Sequence, residues 1–447
     1  MKNSFKLFSL VSILVLSLSF ISCEKDKNTG SVIVVRTITD VAASTPDLST
    51  LVLALKKTGL DDDLANPASM FTVFAPTNAA FASLLTELGV AKLDDIPVAT
   101  LTKVLLYHVK SGKATASQIT TGYYSMLANG PADGSHLSLY VDMATTKING
   151  RSMITKTDVM ADNGVIHVVD KVLLPMSITD HAVANPLFGS LVAALTKANL
   201  ASALDDETKT YTVFAPTNDA FAAFLTSLGV TLNSLSAETL SPILLYHVVN
   251  GYVPAAAVTA GYVPTLSTAF GKNVSLQLSV TGGVKLNSSV NVIATDVVAT
   301  NGIVHVIDKV LLPPTVVEIA QQNSAFSTLV LAVVKADLAV TLSGAGPFTV
   351  FAPTNEAFTA LFTALGVTGV DALSKEALTP ILLAHVVSGN VQSGNLVTGM
   401  VPTLNPAKSL NVVVGGGVII DGSINVTRAD IQGKNGVVHV INKVIVP

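Results

Sequence analysis

Three times along the chain, apolar positions fall at i, i+3, i+4 and i+7 just after Phe-Ala-Pro-Thr: Phe81, Leu84, Leu85, Leu88; Phe221, Phe224, Leu225, Leu228; Phe358, Leu361, Phe362, Leu365. That spacing predicts one buried face of an amphipathic helix. Thr77, Thr217 and Thr354 are placed as N-caps, Asp219 and Glu356 lie in the first turn, and Gly89, Gly229 and Gly366 follow the last apolar residue; these are start and stop signals. Elsewhere the pattern is that of strands. His167, His305 and His439 each have Val or Ile on both sides after an Asn-Gly pair, so apolar residues occupy both phases of the alternation, predicting a central strand covered on both faces. Further strands are expected at 275–280 and 410–414, and short helices at 48–57 and 187–198.

These patterns belong to one unit written three times. "FTVFAPTNAAF" at Phe71 returns as "YTVFAPTNDAF" at Tyr211 and "FTVFAPTNEAF" at Phe348. "LLYHV" at Leu105 returns at Leu244 and, as "LLAHV", at Leu382; "NGVIHVVDKVLLP" at Asn163 returns with small changes at Asn301 and Asn435. The period is roughly 138 residues, long enough for each copy to bury its own core. The units run over 32–175, 176–313 and 314–447, each with helices in its first half and strands in its second, and Pro175 and Pro313 stiffen very short joins.

Composition narrows the function classes. A single cysteine excludes an intramolecular disulfide and a Cys-rich zinc site, and a net charge of -4 argues against a nucleic-acid partner. Although 49% of residues are hydrophobic, no apolar run beyond the N-terminus reaches the roughly 18–20 residues that span a bilayer. At the N-terminus itself, Lys2 and Lys6 precede an apolar stretch from Leu7 to Phe20, and Phe20-Ile21-Ser22 precedes the only cysteine, Cys23. Residues 1–22 read as a secretory signal peptide, and the cleavage pattern resembles a bacterial lipobox, with Cys23 as the lipid attachment point and 23–31 as a charged, lipidated tether.

The three blocks, in this order and separation, resemble fasciclin domains of the fasciclin/beta-ig-h3 family. The resemblance implies an α+β fold: three tandem fasciclin-like domains, each a seven-stranded β wedge or sandwich with several packed helices. It also implies adhesion rather than catalysis, with the strand near a Tyr-His pair implicated in some members. The matching positions are Tyr107, His108, Tyr246, His247 and His385, the last preceded by Ala384 in place of the tyrosine. If the pair acts directly, the third copy is expected to be the weaker one.

The candidate chemistry beyond this is thin. Six of the eight histidines recur at repeated positions, yet His167 and Asp170, or His305 and Asp308, lie at i and i+3 on a strand and point to opposite faces. No serine or cysteine recurs in a nucleophile-elbow context, and no spacing suggests a metal site, so neither an enzyme nor a cofactor is expected. Gly415-Gly416-Gly417 and Gly282-Gly283 read as hairpin turns. Tyr123, Tyr124, Tyr252 and Tyr262 are candidate aromatic platforms for sugars or partner side chains. The expectation is an adhesion protein held in the cell envelope by its lipid, in the outer membrane and surface-exposed, attaching to extracellular matrix or to cell-surface protein or polysaccharide, as in biofilm formation. The alternative is a glycan or small-ligand capture module of an uptake complex. Self-association is left open.

Overall fold

The computed structural model of the chain describes residues 35–447. Cys23 and the stretches expected to be a signal peptide and a tether therefore lie outside the described residues. In repeat 1 the elements are α1 (Ile38–Ala43), α2 (Ser49–Thr58), α3 (Leu60–Ala65), β1 (Phe71–Pro76), α4 (Asn78–Leu88), α5 (Val98–Leu106), β2 (Val109–Ser111), β3 (Gly122–Asn129), β4 (His136–Asp142), β5 (Lys147–Ile148), β6 (Ser152–Ala161) and β7 (Gly164–Val169). The strands form one seven-stranded sheet in the order β2-β1-β7-β6-β5-β4-β3, parallel only at β1–β7, and repeat 3 has the same order. In repeat 2 the sheet closes into a barrel, because Thr265 also pairs with Val249. This is the α+β architecture the repeats imply.

The capped helix is α4. The hydroxyls of Thr77, Thr217 and Thr354 accept from the third residue beyond them, and Gly89, Gly229 and Gly366 end the helices at φ 66°, 66° and 68°, a left-handed conformation that a side chain would strain. Phe81, Phe221 and Phe358 are buried in the core. The expected buried face is shorter than its pattern, since Leu88, Leu228 and Leu365 stand about half exposed at the last turn, where the chain leaves the sheet. The His-bearing strand, β7, is interior as expected, between β1 and β6 with both faces covered. Two apolar clusters result in repeat 1. One, with Phe81, Leu101 and Ile166, lies between helices and sheet; the other, with Phe74, Tyr107, Leu137 and Ile148, fills the fold of the sheet itself.

The Asn-Gly of each closing block does more than turn the chain. Asn163 Oδ1 accepts the backbone N–H of Ile38 at the start of α1 (2.8 Å), while its Nδ2 donates to the carbonyls of Leu64 and Asn66 at the end of α3. Asn301 and Asn435 hold Ile178 and Val316 in the same way. Gly164, Gly302 and Gly436 follow because a Cβ there would collide with the carbonyl oxygen of Phe71, Tyr211 or Phe348 across the parallel pair.

Successive repeats are joined by more than their short linkers. Val298 and Ile303 of repeat 2 belong to the apolar cluster of β4 in repeat 1, and Tyr123 of β3 packs on the helix-side core of repeat 2. Tyr262 packs likewise on the core of repeat 3.

Candidate functional site

Tyr107 caps the C-terminal end of α5 and His108 leads into β2. Both are fully buried, as are Tyr246, His247 and His385. His108 Nε2 accepts the N–H of Leu173 (2.8 Å), so Nδ1 carries the proton and donates to the Val104 carbonyl (2.7 Å). His247 bridges Leu311 and Ile243, and His385 bridges Ile445 and Ile381, with the same geometry. Each imidazole thus ties the segment after the last strand of a repeat to the helix before the Tyr-His block. Burial pushes the pKa of all three down to about 4, with the helix carbonyl opposing weakly, so they are neutral at physiological pH.

The Tyr107 hydroxyl donates to the Ser138 carbonyl (2.6 Å) and accepts from Asn149 Nδ2 (3.1 Å). Tyr246 repeats this with Ser275 (2.9 Å) and Asn287 (3.1 Å). Desolvation raises both phenols well above their ordinary range. In repeat 3, Ala384 is buried without a hydroxyl, Asp421 takes the place of the asparagine and faces Lys408 (3.0 Å), and Asn405 turns inward to the Pro380 carbonyl. None of the five Tyr-His side chains can touch a partner while its repeat is folded. Tyr246→Phe should lower the stability of repeat 2 by about 1–2 kcal/mol, because it strands a buried carbonyl and amide; urea denaturation measures it, and a neutral substitution would show that the hydroxyl carries no structural load.

The strand histidines use the other tautomer. His167 Nε2 donates to the Ala114 carbonyl (2.9 Å), and Nδ1 accepts from the N–H of Asp158 (3.4 Å). His305 and His439 do the same with Val253 and Asp296, and with Val391 and Asp430. Desolvation holds His305 and His439 below the usual imidazole range. Asp170 is turned away from His167, accepting from the Met153 N–H and the Ser152 hydroxyl. Thr72 of "FTVF", which the sequence reading passed over, pins the same segment by donating to Gly112 and accepting from Ala114. The recurring polar residues are therefore fasteners inside each repeat. Among the described residues no group of three His, Cys, Asp or Glu side chains is placed to hold a metal ion.

Three of the four tyrosines considered as aromatic platforms are turned to neighbouring repeats. The Tyr123 hydroxyl accepts from Asn185 Nδ2 of repeat 2 (3.1 Å), and its ring meets His181 edge-on at 5.6 Å. Tyr262 accepts from Asn323 of repeat 3 (3.4 Å) and lies under the Arg428 guanidinium at 4.9 Å. Tyr252 packs on the β4 cluster of repeat 1. Tyr124 folds back on the Thr120 backbone. The joints also carry two buried bonds no motif announced: Val298 N–H donates to Ser138 Oγ (2.9 Å), and Gln432 N–H to Ser275 Oγ (3.0 Å).

The fasciclin-domain family model matches residues 46–175, 186–313 and 324–447, and the chain belongs to the fasciclin family. It is 30% identical over 407 residues to transforming growth factor-beta-induced protein ig-h3 of Sus scrofa, covering 89% of this chain and 56% of that protein. With human periostin it shares 29% identity, over 84% of this chain and 43% of periostin. One repeat's length is 43% identical to protein sll1483 of Synechocystis, over 31% of this chain and 73% of that protein. The chain thus spans about half the length of the first two of these relatives.

Proposed function

We propose that the chain is a lipid-anchored adhesion protein of the bacterial cell surface, in which three fasciclin repeats attach to extracellular matrix polymers, neighbouring cells or host components. Family membership over three matched segments carries the reading. The internal use of the repeated histidines and tyrosines supports it, because these residues are occupied within each repeat and leave the outer faces of the array to meet a partner. The anchor rests on Cys23 behind a signal-peptide pattern. Its outward placement at the outer membrane is part of the same proposal.

Two measurements test it. Cys23→Ala should move the chain from the membrane to the soluble fraction, whereas unchanged membrane retention would remove the lipid anchor from the proposal. Protease treatment of intact cells should release the repeats, and cells lacking the chain should lose most of their retention after washing; unchanged retention would sink the adhesive role. A cleft of about 250 Å3 between repeats 1 and 2, lined by Glu87, Arg151, Ser152, Lys171 and Asp180, favours small-ligand capture as the second reading. A saturable thermal shift with acidic sugars, abolished by Arg151→Ala, would select capture over adhesion.

A further inference from the structure

We infer that the tyrosine of the Tyr-His block braces a docking surface for the next repeat, and that repeat 3, which has Ala384 in its place, lacks this brace. The partner of the surface is the β6 face of a following fasciclin repeat. The inference concerns how the array is built and stands whichever component the array binds.

Ser138 carries the argument. Its carbonyl accepts from Tyr107 of its own repeat, and its hydroxyl accepts from the Val298 N–H of the next. Ser275 has the same two partners, Tyr246 within repeat 2 and the Gln432 N–H of repeat 3. One serine thus couples a phenol buried in one core to a backbone group of the neighbouring sheet. A second tyrosine flanks it on the adjacent strand, Tyr123 on Asn185 and Tyr262 on Asn323. Strand register gives the third-repeat counterparts: Gly122, Gly261 and Gly399 pair with Val141, Leu278 and Val412, so Tyr123 and Tyr262 correspond to Met400, and Ser138 and Ser275 to Ser409.

In repeat 3 every part of the device changes together. The bracing tyrosine is Ala384, the flanking tyrosine is Met400 at 66% exposure, and Ser409 faces solvent. The strand that carries the flanking residue shrinks from eight residues in repeat 1 and nine in repeat 2 to four, Gly399–Pro402. The receiving face of repeat 1 differs as well. Thr45 stands where Asn185 and Asn323 donate, with its hydroxyl turned to the Val41 carbonyl, and Met160 stands at 51% exposure where Val298 and Gln432 are buried. Tyrosine is present in the two repeats whose serine is engaged by a neighbouring sheet and absent from the one whose serine is exposed. A partner-binding role for the Tyr-His block gives no reason for that distribution; a brace present only where its serine is engaged does.

Amide hydrogen exchange on the full chain tests the inference, because it reports each backbone group separately. Tyr246→Phe should speed exchange at Gln432, in the following repeat, by about tenfold, and Tyr107→Phe should do the same at Val298. Ser275→Ala, a mild change at the joint, should reproduce the Gln432 effect, and adding Tyr246→Phe to it should change that amide little further. Faster exchange confined to the mutated repeat, with Gln432 and Val298 unchanged, would overturn the inference and leave the tyrosines as ordinary core residues. So would additive effects of the two substitutions at Gln432.

Discussion

Asn163→Ala is expected to cost repeat 1 about 3–5 kcal/mol, enough to unfold α1 and α3 from the sheet under mild urea. The asparagine serves three backbone groups at once: the Ile38 N–H and the Leu64 and Asn66 carbonyls, in a site from which solvent is excluded. Alanine strands all of them, and each buried group left without a partner costs about 1–3 kcal/mol before local relaxation. The three repeats give the prediction an internal scale. Asn435 also serves three groups, Val316, Leu342 and Gly344, whereas Asn301 serves two, Ile178 and Leu204. Asn301→Ala should therefore be milder by about 1 kcal/mol. Denaturation followed by exchange at the α1 N–H groups measures this, and equal or negligible losses at the three sites would show that water replaces the side chain.

That asparagine shows where reading the sequence stops. Helix α4 was legible because its information is local: period, threonine cap and closing glycine lie within one stretch of chain. The buried strand around His167 was legible for the same reason. Asn163, by contrast, looks like half of an Asn-Gly turn, and its actual partners lie about 100 and 125 residues earlier. The histidines were correctly separated from Asp170 and Asp308 by strand geometry, yet their opposite tautomers follow from backbone groups that only the fold brings near. Tyr123 and Tyr262 carried the weakest signal, since an aromatic residue near a loop has the same appearance whether it faces a sugar or the next repeat. A comparison among the three copies held the missing clue. Positions that differ only in the third repeat, Ala384 and Met400 together, mark the repeat that lacks the tyrosine and serine pairing of the joints.

Acidification from pH 7 to pH 5 should cost each of four buried histidines about 2 kcal/mol of folding stability. His108, His181, His247 and His385 are held near pKa 4 by burial, against an ordinary value of 6.5. Across that interval the unfolded chain binds more protons than the folded one, so stability is full above about pH 6.5 and falls as the pH drops toward 4. His181 is the exception that permits a clean experiment. The other three have a well-formed backbone partner at each ring nitrogen, whereas His181 has only the Val298 backbone near it, outside good hydrogen-bond geometry. It sits against Tyr123 at the joint of repeats 1 and 2, at the position that Val41 and Ile319 occupy in the sister repeats. A hydrocarbon side chain already suits this site twice over. His181→Ile should therefore raise stability by about 1–2 kcal/mol at pH 7, by removing a buried polar ring that makes no well-formed hydrogen bond. The gain should widen by about 2 kcal/mol at pH 5, where the wild-type ring resists a proton that its unfolded counterpart takes up. Thermal denaturation at the two pH values, with proton uptake measured alongside, decides the matter. A pH-independent gain would mean that protonation of His181 is coupled to a rearrangement of the joint rather than to unfolding.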